Sequence, residues 1–185
     1  MKKVEILLVC LLMAVAVQAQ SSAKAKARVA EIRKAYTEAK EAAALSDRED
    51  NPGRSVMETK VYRMIPACGP QTKVIRYYFT EVEGEDGERE GFAPYLFTVS
   101  YNVAARKFYE EYLVDEKTGE LAFAYFFNEE YDGPSSETRY YYNQAGDELL
   151  AHKTVKGEPL MDEIFAQRLY GVLMNAFHSI LHEDY

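Results

Sequence analysis

Between Ser55 and Lys156 the chain reads as seven runs of Tyr, Phe, Val and Thr parted only by short joints rich in Gly, Asp, Asn and Pro. That spacing limits the fold more than any other feature. The runs fall at 56-64, 73-83, 93-102, 106-114, 120-128, 137-143 and 148-155. The joints are Pro66 to Pro70, Gly84 to Gly91, Val103 to Ala105, Asp115 to Gly119, Asn128 to Ser136, and Asn143 to Gly146. A parallel pair of strands needs a crossover of a dozen or more residues, usually a helix, and none of these joints has room for one. The expected core is an antiparallel β-meander of six to eight strands.

The pattern within the runs indicates how that sheet is covered. Leu121, Phe123, Tyr125 and Phe127 alternate with Ala122, Ala124 and Phe126, so both faces of this run are small or apolar and a layer is expected on each. Lys107, Tyr109, Glu111 and Leu113 alternate with Phe108, Glu110, Tyr112 and Val114; one of these mixed faces is expected to meet water. The covering layers come from the two ends of the chain. Ala23 to Leu45 carries Val29, Ile32, Tyr36, Ala39 and Ala43 at helical spacing, a thin apolar stripe on a charged helix. Pro159 introduces a second helix, Leu160 to His182, in which Phe165, Leu169, Val172, Leu173, Ala176, Phe177 and Ile180 form a broad apolar arc. The expected class is α+β, with an N-terminal helix and a C-terminal amphipathic helix packed on the sheet.

Ahead of the first helix, Met1-Lys2-Lys3, an apolar run from Ile6 to Val17 and Val17-Gln18-Ala19 before Gln20 have the layout of a secretory signal peptide. The organisation expected is a signal peptide at 1-19, a helix and linker at 20-54, and a β-meander with its C-terminal helix at 55-185, the last two forming one domain. The apolar run is shorter than the roughly twenty residues a membrane span requires, so no transmembrane segment is expected. Cys10 sits in mid-run behind Leu8-Val9, without the spacing of a lipid-anchor site. A periplasmic or secreted protein follows, cleaved near Ala19/Gln20, with Cys68 as its one remaining thiol and no internal disulfide. Cleavage would take the chain from 22 basic and 30 acidic residues to 20 and 29, a net charge of about −9. Such a balance disfavours nucleic acid and anionic membranes and suits a basic protein partner.

Phe108-Tyr109 to Asp115 through Gly119-Glu120-Leu121 is repeated loosely by Tyr140-Tyr141-Tyr142-Asn143 through Gly146-Asp147-Glu148-Leu149. Each is an aromatic strand, a polar turn containing Gly, and a return opening on Leu. This pattern resembles the aromatic hairpin repeats of the MORN type and related repeats in bacterial toxin-immunity proteins. Together with the export segment and the helix carrying Glu31-Ile32-Arg33-Lys34-Ala35-Tyr36, it also resembles a group of small secreted proteins of Gram-negative gut bacteria. The resemblance implies a location and a fold type, and no activity.

Fifteen tyrosines without a tryptophan are the most suggestive functional feature. Tyrosine offers a large, rigid contact surface with a polar tip, and three in succession are expected to place at least one ring away from the main core. Tyr109, Tyr112, Tyr140, Tyr141 and Tyr142, with Glu110 and Glu129, are therefore the candidate binding residues on an open sheet face. The partner class is a protein, with a glycan as the alternative. The competing class is an envelope enzyme, using Cys68 or a carboxylate pair across strands such as Glu110 with Glu129 or Glu130.

Several other motifs fall short of a site. Cys68-Gly69-Pro70-Gln71 has Gln where a thioredoxin-like motif needs its resolving thiol, and His152 is the one histidine in the strand region that could serve as a base. His178 and His182 have zinc-compatible spacing without further ligands, and Glu81 to Glu90 lacks the spacing of a calcium loop. No metal or cofactor is expected. The chain recovered from a secreting cell is expected to begin at or near Gln20, which intact mass spectrometry checks; a mass retaining Met1 to Ala19 removes the export reading.

Overall fold

The computed structural model describes residues 2–46, 55–129, 135–155 and 161–182, with side chains from residue 22 onward and up to residue 181. The order is α1 (Lys2–Ser46), β1 (Ser55–Ile65), β2 (Gly69–Glu83), β3 (Arg89–Val103), β4 (Arg106–Val114), β5 (Leu121–Glu129), β6 (Ser136–Tyr142), β7 (Leu149–Val155) and α2 (Glu163–His182). The seven strands form one sheet in sequence order, every neighbouring pair antiparallel. This is the α+β meander that the short joints require. α1 does not start at Ala23 but runs unbroken from Lys2, as a stretch rich in Leu, Ala and Met favours. No described helix is long and apolar enough to cross a membrane. Pro159 lies outside the described residues; α2 is capped instead by Asp162, whose Oδ1 accepts the Phe165 N–H at 2.7 Å.

Each helix covers one face of the sheet. α2 packs Ala166, Tyr170, Leu173 and Phe177 onto Tyr77, Phe79, Phe97 and Tyr112. α1 lays Ile32, Ala39 and Ala43, with Val29 and Tyr36 beside them, over Tyr78, Leu96, Leu113, Phe123 and Tyr141. The strand β5 is thus buried on both sides, as its composition demands.

Two bulges re-aim residues that strict alternation would place elsewhere. The register shifts between Tyr78 and Phe79, where Pro94 has no N–H to give the ladder, and both Tyr95 and Leu96 turn to the α1 side. A second shift between Leu113 and Val114 sends Leu121 to the α2 side while Ala122 and Phe123 stay with α1, so Leu121 does not share a face with Phe123.

α2 is also rotated from the centre of its apolar arc. Phe165, Val172 and Ile180 remain exposed, Val172 by 64%, while Ala166 and Tyr170 take the buried positions. Tyrosine hydroxyls set that rotation. Tyr170 donates to the Gly119 carbonyl, Tyr142 donates to the Glu163 carbonyl at 3.0 Å and Tyr140 donates to the Met161 carbonyl. These polar tips hold the first turns of α2 against the sheet, and the apolar rings beneath settle accordingly.

Phe177 is fully buried, with ring centroids 5.4 Å from Phe79 and 5.9 Å from both Tyr77 and Phe97. Phe177→Ala is expected to cost about 3–5 kcal/mol by urea denaturation. Val172→Ala, on the exposed flank, should change stability by less than about 0.5 kcal/mol.

Candidate functional site

Strand β4 carries two adjacent buried carboxylates that point to opposite faces of the sheet. On the α2 side, Glu110 accepts the Tyr112 hydroxyl at 2.7 Å and is also bonded by Tyr101. On the α1 side, Glu111 accepts the Tyr109 hydroxyl at 2.6 Å, the Tyr36 hydroxyl and the Lys40 ammonium. Burial and the Glu111 charge hold the Tyr36 and Tyr109 hydroxyls protonated far above the usual tyrosine range. Burial and then Glu110 do the same for Tyr112 and Tyr101. The two acids therefore act as acceptors that fix surrounding donors. A buried carboxylate without such partners would cost several kcal/mol.

Glu111 is one of several anchors that set the course of α1. Arg28 pairs with Asp115, Arg33 lies over the Tyr141 ring, Tyr36 tilts onto Phe123 at 4.8 Å, and Ser46 Oγ meets the Tyr95 hydroxyl at 3.0 Å. Burial alone would raise the Asp115 carboxyl, but Arg28 and the N–H groups of Lys117 and Thr118 outweigh it and hold that carboxyl below its ordinary value. Along this path α1 leaves part of its own face of the sheet uncovered, over β1, β2, β3 and the start of β4.

There a groove of about 470 Å³ opens between the helix and the strands. Lys40 stands on its helix wall, Glu58 and Lys60 on the outer wall formed by β1, and Arg76, Thr98 and Ser100 on the floor. Tyr109 closes the end, backed by Glu111. Glu58 is gripped by Lys60 at 2.8 Å and by Arg76 at 2.7 Å, which together hold its carboxyl below the usual range. The cations are thus paired in place, and Arg76 is bonded by Tyr78 as well as by Glu58.

The residues expected to form one exposed face are divided between two. Tyr109 is half-buried at the groove, and Glu129, on the same face at the end of β5, pairs with Lys107 at 3.2 Å. Tyr141 faces α1 and is buried against Phe123. Tyr140, Tyr142 and Tyr112 lie buried on the α2 side with Glu110. Of the three consecutive tyrosines, Tyr141 does turn away from the larger core that holds Tyr140 and Tyr142, but into a second buried layer under α1; the open face expected for them is corrected, because both faces of β6 are covered by a helix. Glu110 and Glu129 point to opposite sides and form no dyad, and Glu130 lies outside the described residues.

Cys68 is exposed in the β1–β2 turn, at one edge of the sheet, whereas His152 is on β7 at the other, so the two do not meet. The acidic residues of 81–90 are exposed along the β2–β3 hairpin. His178 is exposed on α2, and the His182 side chain lies outside the described residues. Lys40, Arg76, Ser100 and Glu111 were not legible as site residues. The available signal was the alternation that puts Lys107, Tyr109 and Glu111 on one face of β4.

No protein-family model matches the chain, and no curated protein or solved structure matches it.

The buried tyrosines predict a specific alkaline response. Their folded values are raised, so the stability they contribute is complete below the unfolded tyrosine value of about 10 and falls as pH rises beyond it. Urea midpoints should be flat from about pH 7 to 9 and drop steeply toward 11. Tyr112→Phe should lower stability at neutral pH and flatten that drop.

Proposed function

We propose that the chain is an exported, noncatalytic binding protein that recognises a protein partner at the groove between α1 and β1 to β4. One observation carries this reading: beside α1 the sheet leaves a groove of about 470 Å³ open, walled by paired charges and hydroxyls. Its geometry suits recognition. Lys40, Lys60 and Arg76 are held in position by Glu111 and Glu58, so these charged side chains lose little freedom when a partner arrives.

Three cations against two carboxylates give this spot a positive balance within a chain whose net charge is −8. The group seated there is accordingly an acidic or hydrogen-bonding side chain of the partner. The wider acidic surface, including the β2–β3 hairpin, favours a partner with basic character around that group. An inhibitor-like or immunity-like role in the periplasm or outside the cell fits such recognition.

Noncatalytic action is supported by the state of the candidate nucleophiles and acids. Glu111 has three donors upon it, Glu110 is on the other side of the sheet, and Cys68 sits in a turn at the sheet edge opposite His152. Among the described residues of the groove walls, no free base stands beside a nucleophile, the arrangement covalent catalysis needs.

Ser100 is exposed on the groove floor, so Ser100→Trp fills the groove without entering the core. The variant is expected to keep its melting temperature within about 2 °C and to lose the protein that the wild type retains from an envelope extract. Identical retention by both removes the groove from the reading. Retention abolished by periodate treatment of the extract, and not by trypsin, replaces the protein partner with a glycan.

A further inference from the structure

β1 is an edge strand that nothing in the described chain covers. It pairs with β2 on one side, over eleven consecutive residues without a register shift, and with no strand on the other. Exposed strand edges are ordinarily shortened, bulged, or blunted with proline and lysine. β1 is long and unbulged, contains no proline, and carries Tyr62 and Met64 each 72% exposed. The opposite edge is managed differently: β7 has seven residues, is interrupted by a register shift beside Tyr142, and packs Ala151 under α1.

We propose that the outer edge of β1 pairs antiparallel with β1 of a second copy of this chain, about a two-fold axis through Thr59, joining the two sheets into one. Charge selects that register. With the axis at Thr59, Glu58 lies opposite the partner's Lys60 and Lys60 opposite the partner's Glu58. The same register places Val56 against the partner's Tyr62, and Met57 against the partner's Val61. Moving the axis one residue to Glu58 or Lys60 sets like charges face to face, which is destabilising in directly opposed pairs.

The one lysine on the strand, which on a solitary edge would repel another chain, is thus matched by an acid two residues away. An axis normal to the sheet keeps the faces in common, so both grooves open on the same side with the two β1 walls between them. The pairing stands whether or not the groove binds a partner.

Sedimentation equilibrium on the purified protein, as the cell accumulates it, should show a dimer. Lys60→Glu, at an exposed position, should raise the dissociation constant about tenfold or more by opposing Glu58 in both symmetry-related pairs. The charge-swapped Glu58→Lys/Lys60→Glu protein should return to within a fewfold of the wild type.

In a background with Cys10→Ser and Cys68→Ser, Thr59→Cys should form a disulfide-linked dimer on mild oxidation. Facing Cα atoms in such a pair lie about 4.5–5.5 Å apart, within the span of a disulfide. Val61→Cys, which faces the partner's Met57, should not cross-link. A monomer up to about 1 mM overturns the proposal. So does a dimer indifferent to Lys60→Glu, or cross-linking that is equal at positions 59 and 61.

Discussion

A sheet that is aromatic on both faces has to be covered twice, and the rest of this structure follows from how two helices of limited width do it. The strands of a meander bring Tyr77, Phe97 and Tyr112 to one side and Tyr78, Leu96 and Phe123 to the other. Each side removes enough apolar area from water to hold a helix. The helices come from opposite ends of the chain because a meander with short turns has no internal segment to spare. With both faces occupied, strands such as β5 and β6 have no wet side, and a tyrosine there belongs to the core whichever way it points.

Burying that many tyrosines would leave many hydroxyls without water, and the structure turns this cost into positional information. On the α2 side, the hydroxyls of Tyr140, Tyr142 and Tyr170 donate to backbone carbonyls of the helix start and of the β4–β5 turn. On the α1 side, Tyr36 and Tyr109 converge on Glu111, which also binds Lys40. Apolar contact alone would let either helix slide or roll over a greasy sheet. Directional bonds with unsatisfied alternatives fix one placement. The exposed Val172 shows that this polar registry prevails over simple maximisation of apolar burial in α2.

The groove is the remainder of that placement. α1 is held on its face by Arg28 at Asp115, Tyr36 and Lys40 at Glu111, and Ser46 at Tyr95, and the region over β1 to β4 beside it is left without a roof. Residues there are polar because they meet water, and their charges are paired because they stand a few ångströms apart on neighbouring strands. A preorganised polar groove and an unblunted edge strand share β1 as a common wall. Recognition and self-association would therefore be neighbours on one surface.

The class of fold, an antiparallel meander with a helix at each end, was legible in the sequence, because joint length and residue alternation are local properties that short-range sterics enforce; the order of the strands in the sheet was not, and the docked structure supplies it. Ile32, Ala39 and Ala43 could be assigned to the buried stripe of α1 from spacing alone. The bulges at Tyr78/Phe79 and Leu113/Val114, which move Tyr95 and Leu121 between faces, depend on how two separate strands match, so no single run discloses them. The fate of Tyr140, Tyr142 and Glu110, and the meeting of Tyr36, Lys40, Tyr109 and Glu111, likewise required the helices to be docked. Sequence by itself determined which residues alternate and where the chain must turn. Only the tertiary structure decided which faces lose their water, since burial belongs to the space between elements distant in the chain.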